Sequence, residues 1–568
     1  MKNKIELLLP AGSLGNLKAA VANGADSVYI GLDKFNARES ATNFRGEYFK
    51  EAIKICKSNN VRVYLTMNTL IKNSEIKEFF KQLVYAYEQG IDAVIIQEPS
   101  FISIIKESFP DLFIHLSTQA GIMNSAHANI FKNIERIILA RELNKEKLKC
   151  LRKNVNKELE VFIHGALCVS FSGSCLFSSF LGGRSGNRGK CAQPCRKIYN
   201  NCYYLSTKEL CLIKKIPELI ELGIDSLKIE GRMRTPYYVA TVASIYRKAI
   251  DDYYKGDFKI TDEIISKLKT AFSREFTEGS FSSESVFNKM KAHGSSAPEI
   301  KEYIVNTKDI KLEKRDYELK IPEIKTKQSK EKRLLVRVYN KSDAVLAAEN
   351  GADIIYYDIF AKDFLETQKL ISKPVYGVTP RIMFDSDIPK ITDEIKNKNP
   401  SGILAGNLGM INLNLHLPIH LDYNCNCFND IDLKFYEEKE AYPIISPELS
   451  INEQTEFKNK NFASFVHGKM RLMTIAHQLQ EGWINDNKGR FKINKINNGV
   501  EILNERELGL FNKAKNLLKS GINNFYIDTD IKVGEITKIY RQILDGKTVD
   551  VSKIKQNYVL GWSEKGVL

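Results

Sequence analysis

Leu17-Lys18-Ala19-Ala20-Val21-Ala22-Asn23-Gly24-Ala25-Asp26-Ser27-Val28-Tyr29 carries a helical pattern into an apolar, β-rich run. That run, at 27–31, is one of eight in the first 230 residues. The others lie at 5–9, 61–67, 93–97, 113–116, 136–140, 159–164 and 226–229, with amphipathic helical patterns between them. Eight strands alternating with helices predict a closed parallel (β/α)8 barrel of TIM type, the count favouring closure over an open doubly wound sheet. Residues just past the strand ends of such a barrel face its site. Here they include Asn68, Glu98, Gln119, Glu142, His164, Glu230 and Arg232.

The opening stretch also has an echo, Val345-Leu346-Ala347-Ala348-Glu349-Asn350-Gly351-Ala352-Asp353-Ile354-Ile355-Tyr356. Val161-Phe162-Ile163-His164-Gly165 returns as Ser464-Phe465-Val466-His467-Gly468. Ser244-Ile245-Tyr246-Arg247-Lys248-Ala249-Ile250 returns as Thr537-Lys538-Ile539-Tyr540-Arg541-Gln542-Ile543. Order is kept across the three pairs, which points to duplication of a barrel. The expected organisation is a barrel over 1–251, a small accessory module with a charged linker over 252–333, and a degenerate barrel-like repeat over 334–568. The linker ends in Lys327-Gln328-Ser329-Lys330-Glu331-Lys332-Arg333.

Composition narrows the class. The 568 residues are 43% hydrophobic and 27% charged, which excludes wholesale disorder and a fibrous repeat. No apolar stretch approaches the ~20 residues of a membrane helix, and the first run is too short for a secretion signal, so a cytoplasmic protein is expected. Lys plus Arg exceed Asp plus Glu by 84 to 69, a formal charge of +15. Such a surplus favours a polyanionic partner such as RNA, and a lysine-rich proteome accounts for it equally well.

Ten cysteines without a secretion signal turn attention from disulfides to metal or redox chemistry. Cys168, Cys175, Cys191 and Cys195 form C-x6-C-x15-C-x3-C, starting just after the strand that ends at His164. Zinc sites show two tight pairs, whereas only Cys191/Cys195 is tight here. Four soft thiolates around a Gly-rich loop, Leu181-Gly182-Gly183-Arg184-Ser185-Gly186-Asn187-Arg188-Gly189-Lys190, suit an iron–sulfur cluster. Arg184 and Arg188 are candidates for holding an anionic substrate, or simply solvate the loop; Lys190 and Arg196 would offset cluster charge. His164 is a candidate proton carrier, although its echo His467 has no cysteines after it. Glu230 and Arg232 are rim candidates for catalysis or a mutual ion pair. Cys56, Cys150, Cys202, Cys211, Cys425 and Cys427 are read as incidental, with Cys202 or Cys211 as the alternative for one ligand.

The run from His164 to Ser178 with Cys191-Ala192-Gln193-Pro194-Cys195-Arg196 resembles the signature of the peptidase U32 (collagenase-like) family. Leu7-Leu8-Leu9-Pro10-Ala11-Gly12-Ser13, Leu139-Ala140-Arg141-Glu142-Leu143 and Leu227-Lys228-Ile229-Glu230-Gly231-Arg232-Met233-Arg234 resemble other family landmarks, over roughly residues 5–290. The resemblance implies a [4Fe-4S] cluster on Cys168, Cys175, Cys191 and Cys195. It also implies oxygen-independent hydroxylation of a tRNA or rRNA pyrimidine, with prephenate as hydroxyl donor. A U32-type peptidase and a non-catalytic, cluster-bearing partner subunit are the alternatives. No H-E-x-x-H zinc-protease motif is present.

Overall fold

A computed structural model of the chain describes residues 4–288, 303–308, 310, 314–329, 331–487, 489–549 and 558–568. The first half holds β1 (Glu6–Pro10), β2 (Ser27–Gly31), β3 (Arg62–Met67), β4 (Ala93–Ile96), β5 (Phe113–Leu116), β6 (Arg136–Ile138), β7 (Glu158–Ala166), β8 (Glu209–Cys211), β9 (Ser226–Ile229) and β10 (Phe276–Thr277). Strands β1 to β7 pair in parallel in sequence order, and β9 pairs in parallel with both β7 and β1. Eight parallel strands therefore close into a TIM-like barrel, and each coincides with one of the eight apolar runs. β8 stands outside the ring, antiparallel to β7, with β10 beside it.

The second half holds β11 (Arg333–Arg337), β12 (Ile354–Asp358), β13 (Val375–Val378), β14 (Gly402–Ala405), β15 (Ile419–Leu421), β16 (Ala441–Pro443), β17 (Ser464–Gly468), β18 (Arg471–Ile475), β19 (Gly482–Asp486), β20 (Gly489–Ile496), β21 (Gly499–Asn504), β22 (Leu508–Gly509) and β23 (Asn524–Asp528). β11 to β16 pair in sequence order, while β23 bridges β11 and β17. Among the described residues, β16 and β17 are joined by the parallel bridge Ile444–Ala463 rather than by a full strand pairing. This is a second, degenerate barrel. Of the segment between the halves, residues 289–302, 309, 311–313 and Lys330 lie outside the described residues.

The repeat is visible as repeated chemistry. Gly24 (φ +88°) and Gly351 (φ +101°) end the first helix of each half; a Cβ there would stand 2.6 and 2.5 Å from Cγ of Arg247 and Arg541. Those arginines donate to Asp26 at 3.0 Å and to Asp353 at 3.1 Å. The same carboxylates accept the amides of Leu7 at 2.8 Å and Leu334 at 2.7 Å. One corner, built twice, ties the last helix of each half to its first strand.

What differs is the insertion before the last barrel strand. Between β7 and β9 the first half inserts the cysteine loop; between β17 and β23 the second half inserts the antiparallel sheet β18–β21. The two insertions pack together. The amides of Phe171 and Leu176 donate to the carbonyls of Thr474 (2.7 Å) and Leu472 (2.8 Å), and Phe177 meets Phe491 edge-on at 4.9 Å.

The first barrel's lumen is filled by charge rather than aliphatics alone. Buried Arg136 binds Glu6, Glu158 and Glu160; Lys228 donates to Glu160 at 2.8 Å, and Tyr64 to Glu6 at 2.8 Å. Each ion is paired, which is what makes its burial tolerable. The network fixes Lys228 beneath the barrel mouth.

Candidate functional site

A cavity of about 210 Å³ opens at the C-terminal ends of the first barrel's strands, and Cys168, Cys175, Cys191 and Cys195 all line it. The loop that carries them is held from several sides. Arg188 donates to Glu75 through both terminal nitrogens, at 2.8 and 2.7 Å, and to the carbonyl of Leu70. Asn187 and Ser179 reach buried Glu448 of the second half. Gly189 (φ +79°) lies so close to the carbonyl of Asn36 that a Cβ would overlap it.

Burial pushes the thiols of Cys175 and Cys191 up, and that of Cys195 up to about 12; proximity to Cys168 adds to the effect in each case. The amide of Gln193 donates to Cys191 Sγ at 3.3 Å. No group of three or more His, Cys, Asp or Glu side chains among the described residues is drawn into metal-holding geometry. The donor set nonetheless fits an iron–sulfur cluster. The four cysteines line one cavity, and burial together with the neighbouring Cys168 disfavours the thiolates of Cys175, Cys191 and Cys195, so a multiply charged cation is the partner that would hold the set as thiolates. The carboxylate in the cavity is already committed elsewhere.

That carboxylate is Glu230. Arg38 donates to its Oε1 from Nε (3.2 Å) and Nη2 (2.9 Å), and Tyr29 donates to Oε2 at 3.2 Å. Burial alone would raise its pKa; Arg38 reverses this and holds it below the ordinary carboxylate value. Arg232 lies behind, donating to Asn36 (3.0 Å), Thr66 (3.1 Å) and Asn43, with Nε buried and unpartnered. Burial lowers its pKa to about 10. Arg141 points in from the end of β6, donates to Ser172 at 3.2 Å and also leaves a buried Nε without a partner. Arg38, Arg141 and Arg232 thus line the same cavity as the four cysteines.

The structure therefore brings the four cysteines, Glu230 and Arg232 together, along with Asn68 and Gln119. It does not bring in His164, Arg184 or Arg188. His164 packs between Tyr246 (5.4 Å) and Phe276 (5.5 Å), Nδ1 3.3 Å from the Tyr246 hydroxyl, and burial lowers its pKa to about 3. His467 packs on Tyr540 in the same way, at 5.7 Å, so the histidine belongs to the repeated framework. Arg184 is exposed and donates to the carbonyl of Lys190; Arg188 is spent on Glu75. Glu98 and Glu142 lie outside this cavity, Glu142 in a small adjoining one where burial raises its pKa to about 7. Arg38, Arg141, Tyr29 and Lys228 were not candidates from sequence. Arg141 had a signal, in Leu139-Ala140-Arg141-Glu142-Leu143 at the end of β6, whereas Arg38 sits in an aperiodic loop.

Comparison with known proteins follows the same half. A sequence model of peptidase family U32 matches residues 12–291. A protein of Methanocaldococcus jannaschii, named an uncharacterized protease, is 39% identical over 297 residues, covering 48% of this chain and 72% of that one. The tRNA hydroxylation protein P1 of Bacillus subtilis is 36% identical over 293 residues, 48% of this chain and 69% of its own. The 23S rRNA 5-hydroxycytidine C2501 synthase of Escherichia coli is 32% identical over 262 residues, covering 44% of this chain and 40% of its own.

Proposed function

This chain belongs to peptidase family U32, and on that footing we propose that it hydroxylates a pyrimidine of tRNA or rRNA at the mouth of its first barrel, without molecular oxygen. The observation that carries the reading is the convergence of four thiols and an arginine-rich wall on one barrel-mouth cavity. Cys168, Cys175, Cys191 and Cys195 would hold a [4Fe-4S] cluster. When bound and held by all four thiolates, it would be coordinatively full and would supply one-electron redox chemistry beside the base.

The chain's own groups set the rest of the site. Arg141 and Arg38 offer guanidinium donors to a carboxylate-bearing hydroxyl donor, prephenate in our reading, in place of Arg184 and Arg188. Glu230, kept ionised by Arg38, is an acceptor for the base edge or for a departing proton. Arg232 holds the loop carrying Asn36 and Asn43 against the barrel mouth. A pyrimidine would reach the cavity unstacked from its RNA. Peptide hydrolysis by a cysteine nucleophile needs a neighbouring base; His477, which shares the small adjoining cavity with Cys168, is a weak one, since burial lowers its pKa to about 4.

Two measurements test the proposal. Deleting the gene should remove one hydroxylated pyrimidine from the cell's tRNA or rRNA by mass spectrometry; an unchanged nucleoside profile refutes it. Cys191→Ser should lower the iron content of anaerobically purified protein, and iron retained at the wild-type level refutes the ligand assignment.

A further inference from the structure

The second barrel has a mouth of its own. A cavity of about 650 Å³ opens at the C-terminal ends of β11, β12, β13 and β23, framed by Arg337, Asp358, Val378 and Asp528. That volume is within the range of small-molecule sites. Five basic and five acidic side chains line it, so its wall carries both donors and acceptors with no net formal charge.

Most of these groups are fixed among themselves. Arg471 donates to Asp528, to Glu501 at 2.9 Å and to Tyr339 at 2.5 Å; Arg381 donates to Asp422 at 3.1 and 2.8 Å. Two polar groups are left over. The guanidinium of Arg337 is ion-paired with Asp422 at 3.6 Å, beyond hydrogen-bond length, so its N–H donors make no hydrogen bond among the described residues. The Oδ1 of Asn494 is buried with no partner. Arg337 also lies over the ring of Tyr339 at 5.5 Å, and that tyrosine is half exposed at the rim, with exposed Lys495 also on the lining. A planar platform, unspent hydrogen-bonding groups in a wall of donors and acceptors, and a cation at the rim are what an unstacked base with its phosphate requires.

The place matters too. Arg381 also lines a small cavity between the halves, and that cavity shares Gln119, Phe171, Ser172 and Gly173 with the cysteine cavity. The small cavity thus lies between the two mouths.

We propose that the mouth of the second barrel is a nucleotide pocket, with an unpaired nucleotide of the substrate RNA as the occupant its surroundings favour. The choice of RNA rests on the function proposed above; the pocket does not. The test uses the full chain, with fluorescence anisotropy on a labelled single-stranded RNA of mixed sequence and calorimetry with free CMP, UMP, AMP and GMP. Arg337→Ala and Asn494→Ala remove the two unspent groups. Asp422 keeps Arg381 in the first variant, and circular dichroism checks the fold of both. RNA affinity should fall about tenfold in Arg337→Ala, with iron content unchanged. Loss confined to free nucleotides supports the pocket with a soluble occupant. Wild-type affinity of both variants for RNA and for every nucleotide overturns it. If wild-type protein binds no RNA, the proposed function fails, and the nucleotide arm decides the pocket alone: binding lost in Arg337→Ala supports it, and no binding overturns it.

Discussion

Protonating Glu6 should loosen the first barrel from inside. Its carboxylate is 4% exposed and binds Arg136, Arg62, Tyr64 and Ser226. Burial pushes its pKa up, but Arg136 and its other partners more than reverse this and hold it at about 2, against 4.5 for a free glutamate. A depressed carboxylate stabilises the fold fully above its unfolded value, and loses that contribution as pH falls towards its folded value. The window is therefore pH 4.5 down to about 2. At about 1.4 kcal/mol per unit the difference amounts to roughly 3 kcal/mol. Urea unfolding followed by far-ultraviolet circular dichroism, from pH 7 to pH 2, reads it. Glu6→Gln should be less stable than wild type at pH 7 and should show a flatter acid limb. Parallel pH dependences for the two proteins, within about 0.5 kcal/mol, would refute the reasoning.

Arg38→Met frees Glu230 from the guanidinium that keeps it ionised; hydroxylation should fall about a hundredfold while iron content is retained, read by RNA mass spectrometry and iron assay. Arg188→Met removes a bidentate pair with Glu75 and should cost about 2 kcal/mol of loop stability, seen as faster proteolysis of the cysteine loop and lower iron occupancy. Gly24→Ala and Gly351→Ala each force a Cβ against an arginine side chain at positive φ and should each destabilise by at least about 1 kcal/mol in urea. His164→Gln should leave the pH dependence of hydroxylation between pH 6 and 8 unchanged, since burial already keeps the imidazole neutral there.

Strand runs and their count are local properties, because β-propensity and apolar patterning act within a few residues. The eight runs, the barrel and its echo were therefore legible in the chain. So were the cysteines, whose spacing shows on one loop without knowing where the loop goes. Side-chain direction is a different matter. The sequence places both His164 and Glu230 at strand ends, yet β7 runs on to Ala166, which leaves His164 within the strand and packed on Tyr246 of the helix Pro236–Lys255, whereas Glu230 follows the end of β9 and lines the cavity. Arg184 and Arg188 share a loop with the cysteines, but Glu75, distant in sequence, claims one of them. Arg38 meets Glu230 across 192 residues. Sequence alone determined which elements form and which chemistry the chain carries. Only the tertiary structure decided which charges face the cavity, because a buried ion's position is set by the partner that neutralises it, and that partner comes from anywhere in the chain.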